Sequence, residues 1–168
     1  MNNIFLAILS GLFGAVLKWV IPKISEWLRI KFKTKELVGE WYSQYQNIDG
    51  NSRTWVKEKI TLSLPILSEQ LKIKNVDNNK KYSYIGNAKI MERIYLNGDW
   101  ESIRKASSAS GCFLLAIDSQ GQNLYGYWVG SDKIGARRFS MWVLSKEEKN
   151  IEYAKKLLKE SRRTLQMN

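Results

Sequence analysis

Nine short segments between residues 37 and 144 limit the fold more than any other feature of the chain. They are rich in β-branched and aromatic side chains, and turn-forming residues separate them with no helical pattern in between. The predicted strands are 37–46, 55–64, 70–76, 82–90, 93–96, 100–106, 111–118, 124–130 and 136–144. This meander favours a mainly β fold, either a sandwich or a barrel. We prefer a minimal antiparallel up-and-down barrel, because closure removes exposed strand edges.

Alternation along the second predicted strand indicates which of its faces is exposed to solvent. Lys57, Lys59 and Thr61 alternate with Glu58 and apolar neighbours such as Ile60. Successive side chains of a strand point to opposite faces, so this alternation predicts one solvated and one buried face.

The N-terminal segment is unlike the rest of the chain. Residues 4–17 carry no charge, and the apolar stretch extends to Ile21 if Lys18 reaches the membrane surface. A helix of this length spans roughly 27 Å, close to the ~30 Å hydrocarbon core of a bilayer. We interpret it as an uncleaved membrane anchor. A signal peptide and a buried or interfacial helix are the alternatives; the signal peptide is disfavoured because Met1-Asn2-Asn3 has no basic residue.

The charges flanking this segment predict its orientation. Residues 1–35 carry six basic side chains, all after the apolar stretch, and one acidic side chain, Glu26. The positive-inside rule places residues 36–168 in the cytoplasm. Residues 18–32 form an amphipathic pattern, with Pro22 near its start and Trp19 and Trp27 at headgroup depth. This pattern predicts a juxtamembrane helix; a continuation of the anchor packed on the domain is the alternative.

Small residues recur along the anchor at helical spacing. They are Ala7, Ser10, Gly11, Gly14 and Ala15. Small residues every four positions let membrane helices approach closely, so Ala7, Gly11, Gly14 and Ala15 predict lateral association into a homo-oligomer. The competing interpretation is that glycine and alanine are simply common in membrane helices.

The C-terminal residues predict an amphipathic helix. Ser145 and Glu148 have the spacing of a capping box. The apolar positions that follow share one helical face: Ile151, Ala154, Leu157, Leu158 and Leu165. The chain therefore divides into an anchor region (1–35), a barrel (36–145) and a C-terminal helix (146–168).

Composition excludes several kinds of chemistry. The chain has no histidine and one cysteine, Cys112, so histidine-dependent catalysis and the usual zinc sites are ruled out. We predict neither enzymatic activity nor a cofactor or metal. The net charge of +11 calls for an anionic partner. The excess per residue is greatest beside the predicted anchor, and no duplex-binding motif is present, so inner-membrane lipid is favoured over duplex nucleic acid.

Strand parity groups several residues inside the predicted barrel. Gly39-Glu40-Trp41 has the Gly-x-Trp pattern found at one end of lipocalin-like barrels. If Trp41 points inward, Ser43 and Tyr45 do so too. Core filling is the simplest interpretation of each aromatic residue taken singly.

The last two predicted strands extend this interior face. Gly126, Trp128 and Gly130 share one face of their strand, and Arg138, Ser140 and Trp142 share one face of the next strand. An inward arginine needs an anion or a carboxylate, and the inward Glu58 is a candidate for that carboxylate.

The chain as a whole resembles a known family. An apolar N-terminus with a basic flank, Leu37-Val38-Gly39-Glu40-Trp41-Tyr42, Gly111-Cys112-Phe113-Leu114 and Gly126-Tyr127-Trp128-Val129-Gly130 occur in this order. In these features it is similar to the SMODS-associated two-transmembrane β-barrel effectors of bacterial cyclic-oligonucleotide antiphage signalling (CBASS). The resemblance implies a barrel that binds a cyclic di- or oligonucleotide made by a partner cyclase, and helices that assemble and disrupt the inner membrane.

Two points qualify the resemblance. Only one convincing span is present, since Lys23, Glu26 and Arg29 interrupt a second, which predicts a single-pass protein. In the related Panoptes arrangement a constantly produced cyclic nucleotide holds a similar effector inactive, and the residues are equally compatible with either sign of control.

The predicted ligand site combines aromatic and basic side chains. The aromatic residues Tyr45, Tyr84, Trp128 and Trp142 can stack bases at about 1–3 kcal/mol each. Arg137 or Arg138 can bind a phosphate. The alternative function is a membrane-tethered, lipocalin-like binder of an apolar small molecule, and a further possibility is a membrane protein that acts only through protein contacts.

Overall fold

The computed structural model describes residues 2–49, 52–66, 68–75, 83–103, 109–131 and 137–166. Within these ranges, side chains are described from Leu17 onward, apart from residues 33, 48, 49 and 162–166. The elements in chain order are α1 (Asn2–Thr34), β1 (Gly39–Asp49), β2 (Ser52–Ser63), β3 (Leu71–Asn75), β4 (Tyr84–Met91), β5 (Tyr95–Ser102), β6 (Ser110–Ile117), β7 (Asn123–Ser131), β8 (Arg137–Ser145) and α2 (Ile151–Gln166).

The strands form a closed antiparallel barrel in sequential order, as predicted. Each strand pairs with the next, and β1 closes the barrel by pairing with β8. The closing seam is short: it runs from Tyr42 opposite Ser145 to Tyr45 opposite Trp142. The predicted alternation on β2 is also confirmed, because Glu58 and Ile60 are buried while Lys57 and Lys59 are exposed.

The described barrel has eight strands, so the prediction of two separate strands at 93–96 and 100–106 is wrong. β5 runs continuously through Asn97-Gly98-Asp99, which has the composition of a turn. Gly98 faces the interior, and a Cβ atom there would collide with the ring of Phe113 and the carbonyl of Asn87. Glycine is needed here for close packing inside a strand, and the same residue type in isolation is the usual mark of a turn.

α1 is one helix that continues through Pro22. The helix boundary predicted near Pro22 is therefore absent, and the alternative of a continuous helix agrees with the backbone. Its C-terminal part contacts the barrel, where the indole N–H of Trp27 donates to the Pro65 carbonyl at 3.2 Å. Across the described residues, no helix is both long and apolar enough to cross a membrane. Most of the predicted span, and the strip Ala7, Gly11, Gly14 and Ala15, lies outside the described side chains.

α2 covers the outer surface of β7 and β8. Ile151, Ala154 and Leu158 are buried there, which confirms the predicted amphipathic face at these positions. Leu165 lies outside the described side chains. The predicted capping box does not form. Ser145 ends β8 instead, and a short 3₁₀ turn with Glu147 as its N-cap and no side-chain cap leads into α2.

The two ends of the barrel differ. At the helix end, where α1 enters β1, Trp41 lies in a wholly apolar core that is buried almost completely. The other core residues near this end are Leu37, Ile60, Leu62, Leu71, Ile73, Ala88, Leu96, Leu115, Leu124 and Leu144. At the far end, where β1, β3, β5 and β7 finish, aromatic and polar side chains line the interior.

Candidate functional site

A buried carboxylate lies in the middle of the barrel interior. Glu58 Oε1 accepts hydrogen bonds from Ser43 Oγ at 3.0 Å and from the Tyr84 hydroxyl at 2.6 Å. Its Oε2 accepts one from Asn75 Nδ2 at 2.7 Å. All three of these donors are neutral side-chain groups.

This network extends to a tryptophan on β8, the strand that pairs with β1. Trp142 Nε1 donates to Ser43 Oγ at 2.7 Å, and Ser43 in turn donates to Glu58. Trp142 is 3% exposed and packs edge-on against Phe113 and Tyr84, with ring centroids at 5.1 and 6.2 Å. Trp142, one of the predicted stacking residues, is therefore part of the buried barrel core.

Tyr84 is held in its neutral form. Burial, followed by the negative charge of Glu58, raises the pKa of the Tyr84 phenol well above its ordinary value of 10.0. At neutral pH this phenol is therefore a fixed donor to Glu58.

Aromatic rings fill the interior towards the far end. Tyr45 and Trp128 meet edge to face with centroids 6.2 Å apart, and Trp128 meets Trp100 at 5.9 Å. Tyr84 completes the set at 6.2 Å from Trp100. The predicted residues Tyr45, Tyr84 and Trp128 thus lie together inside the barrel.

Trp128 carries an unsatisfied polar group. Its indole nitrogen is buried and has no hydrogen-bond partner within the described part of the chain. An unpaired buried N–H costs about 1–3 kcal/mol, so such groups are rare unless a water or ligand occupies the position. The polar neighbourhood includes Ser140, whose hydroxyl donates to Gln46 Oε1 at 3.4 Å.

Trp100 is a member of this cluster that the sequence analysis missed. Its indole lies over one glycine on β6 and one on β7. A Cβ at Gly111 would lie 2.8 Å from Trp100 Nε1, and a Cβ at Gly130 would lie 2.5 Å from Trp100 Cζ2. The signal was present in the sequence, because Trp100 shares its strand parity with the inward Gly98. The turn-like composition of Asn97-Gly98-Asp99 hides this parity, because it predicts a break in the strand before Trp100.

The two candidate arginines lie on opposite sides of the barrel wall. Arg138 is half-buried and pairs with Gly130, whose inward face holds Trp100. Arg137 is exposed on the outer face. Only Arg138 therefore lies on the interior side, beside the aromatic cluster.

Trp41 closes the helix end of the barrel interior, and its own polar group is satisfied. Trp41 is 1% exposed, and its indole N–H donates to the Leu37 carbonyl at 2.8 Å. Lys146 lies over the Trp41 ring at 4.4 Å and donates to the Val38 carbonyl at 2.9 Å. Partial burial lowers the pKa of Lys146 from its ordinary value.

A cavity of about 420 Å³ lies outside the barrel, between α1 and the β4–β5 hairpin. Its charged lining mixes three acidic and three basic side chains: Glu26, Glu69, Glu92, Arg29, Lys89 and Arg93. It contains none of the predicted ligand-binding residues and is separate from the far-end site.

Comparison with known proteins adds no relative: no protein-family model matches the chain, and no curated protein is significantly similar to it. The residues at the far end indicate which ligand groups can bind there. The far end presents aromatic faces, one unpaired donor, a half-buried guanidinium and hydrogen-bonding side chains. These groups suit a ligand that has flat rings and anionic or carbonyl acceptors.

Proposed function

We propose that the far end of the barrel binds a cyclic oligonucleotide, and that the protein is a membrane-anchored antiphage effector controlled by that ligand. The observation that carries the proposal is the buried, unpartnered indole N–H of Trp128 inside an aromatic cluster. A bound ligand that supplies an acceptor to this N–H removes the cost of leaving it unpaired.

The ligand class follows from the mixture of groups. A cyclic di- or oligonucleotide combines base rings, which stack on Tyr45 and Trp128, with phosphates, which bind Arg138. The carboxylate of Glu58 is the acceptor deeper in the barrel, and its three donors keep it in place. The described interior contains no catalytic histidine or paired carboxylates, and the proposed activity is binding.

The polarity of the interior favours this ligand over an apolar small molecule. Ser43, Glu58, Asn75 and Ser140 are buried polar residues inside the barrel. These groups already have partners, but an apolar ligand would leave the buried Trp128 N–H without an acceptor, at a cost of about 1–3 kcal/mol.

Isothermal titration of the full-length protein in nanodiscs with a panel of cyclic di- and trinucleotides tests the proposal. We expect Arg138→Ala to weaken binding by roughly 1.5–3 kcal/mol, because a charge-assisted contact to phosphate is lost. Arg137→Ala is the matched control, since it removes the same charge one residue away on the outer face. Equal effects of both variants, or a linear duplex that binds as well as the cyclic ligand, would contradict the proposal.

The proposed output is assembly of α1 in the bacterial inner membrane, with the barrel in the cytoplasm. We expect Gly11→Leu or Gly14→Leu to leave membrane insertion unchanged, since leucine is at least as apolar as glycine, and to block close helix packing. Cells that express the variants with the partner cyclase should then keep their membrane potential under the condition that triggers the wild type. Depolarisation as fast as in the wild type would remove this helix face from the mechanism. Ligand control of either sign is compatible with the proposal.

A further inference from the structure

The helix end of the barrel carries exposed apolar side chains at the tips of two hairpins. Ile66, between β2 and β3, is 84% exposed, and Ile94, between β4 and β5, is 50% exposed. Met91, at the other side of the β4–β5 turn, is also exposed. Single exposed apolar side chains need no explanation, but apolar side chains grouped at one end of a barrel are typical of an interaction surface.

Both tips lie beside the same section of α1. Pro65, next to Ile66, accepts the hydrogen bond from Trp27. Glu92 and Arg93, next to Ile94, line one cavity with Glu26 and Arg29 of the helix. The two hairpins therefore flank α1 at the level of residues 26–29, and the helix continues from there towards its N-terminus.

The helix section beyond this level is apolar and basic at once. Trp19, Ile21 and Ile24 are exposed along it, together with Lys18 and Lys23. The ammonium group of Lys23 lies 4.2 Å from the centre of the Trp19 ring. Mixed tryptophan, aliphatic and lysine exposure is typical of the interface of a membrane with anionic headgroups.

Charged groups of both signs accompany the hairpin tips, where Glu69 and Glu92 lie beside Lys89 and Arg93, and the basic excess lies on α1 at Lys18, Lys23 and Lys31. Lys89 and Arg93 are exposed on the β4–β5 hairpin, and Arg29 lies across the cavity from them. Glu92 and Arg93 both have positive φ angles, 51° and 65°, so this turn reverses tightly and leaves Met91 and Ile94 exposed on either side of it. Each lysine or arginine near an anionic leaflet contributes on the order of 1 kcal/mol.

We propose that the tips of the β2–β3 and β4–β5 hairpins, through Ile66, Met91 and Ile94, dock on an anionic membrane surface beside α1. The inference rests on the proposed membrane anchoring of α1 and goes beyond it, because a flexible tether would leave the barrel free to tumble. Docking fixes the barrel with its helix end on the bilayer and its far end towards the cytoplasm, where the ligand arrives.

Depth-dependent quenching tests this orientation. The full-length protein, with the exposed Cys112 replaced by serine, receives one cysteine for an environment-sensitive NBD label: Ile66→Cys, Ile94→Cys, Leu17→Cys or Ile103→Cys. Ile103 is the matched control, an isoleucine that is 48% exposed at the opposite end of the barrel. The vesicles contain phosphatidylcholine and phosphatidylglycerol with a spin-labelled lipid.

We expect blue-shifted emission and quenching by the spin-labelled lipid at Ile66→Cys and Ile94→Cys, as at Leu17→Cys in the helix, and neither effect at Ile103→Cys. Quenching at Leu17→Cys alone overturns the docking and leaves the anchor standing. Absence of quenching at all four positions overturns the anchor as well. A blue shift without lipid quenching at the hairpin tips means that protein covers them, which also overturns the docking.

Discussion

Two tryptophans, one at each end of the barrel interior, show the same side chain in opposite states. Trp41 at the helix end is buried in aliphatic side chains, and its N–H is bonded to Leu37. Trp128 towards the far end is surrounded by aromatic rings, and its buried N–H has no partner within the described chain. Trp41 is therefore fully packed and hydrogen-bonded as a core residue. Towards the second end, the Trp128 N–H has no acceptor among the described residues, and we infer from this difference that a ligand binds there.

Removing the side chain of Trp41 tests the comparison between the two ends most strongly. Trp41→Ala should lower the free energy of unfolding by about 3–5 kcal/mol, because a large buried side chain is lost and the core refills only in part. The measurement is urea unfolding of the full-length protein in detergent. Trp19→Ala is the control, since Trp19 is exposed, and it should stay within about 0.5 kcal/mol of the wild type. Equal stability of Trp41→Ala and the wild type would mean that the helix end is not the structural core.

Two conservative substitutions, one at each tryptophan, test the contrast between the two indoles more closely. Trp41→Phe should cost about 1–3 kcal/mol, because the buried Leu37 carbonyl loses its donor. Trp128→Phe removes an N–H that is already unpaired, so its stability should change little while ligand affinity falls. The same unfolding experiment compares the two variants. A larger loss of stability for Trp128→Phe than for Trp41→Phe would reverse the assignment of the two ends.

The smallest expected effect concerns pH and the network between the two ends. Because the folded-state pKa of Tyr84 is raised, its contribution to stability is complete below its unfolded pKa, near 10.0, and is lost as the pH rises towards the folded value. Urea midpoints should therefore fall above pH 10 in the wild type and fall less steeply in Tyr84→Phe. Identical alkaline slopes would show that burial and the charge of Glu58 do not hold the proton on the phenol.

The fold could be predicted from the sequence because inward and outward side chains alternate regularly along each strand. The parity that places Trp41, Ser43 and Tyr45 inside follows from the period of two in a strand, and neighbouring strands do not change it. The strand count failed at Gly98, since the need for a glycine there comes from Phe113, which is on another strand. Local composition does not report such a contact.

The placement of the candidate residues could be predicted only in part, for a similar reason. Parity separates Arg138 from Arg137 once the direction of Trp142 is known, yet the unpaired N–H of Trp128 depends on every neighbour that surrounds it in three dimensions. The three donors around Glu58 come from β1, β3 and β4 and are up to 26 residues away along the chain. Their convergence is set by barrel register, which the sequence alone does not specify.

The most direct test of the central claim observes the two indoles at once. In the full-length protein with ¹⁵N-labelled tryptophan, the indole N–H resonances of Trp41 and Trp128 are assigned by the two Trp→Phe variants, and a cyclic oligonucleotide is then added. We predict that the Trp128 N–H resonance moves downfield as it gains an acceptor, while the Trp41 resonance stays in place. Binding that leaves Trp128 unchanged, or moves Trp41 instead, would contradict the assignment of the far end as the ligand site.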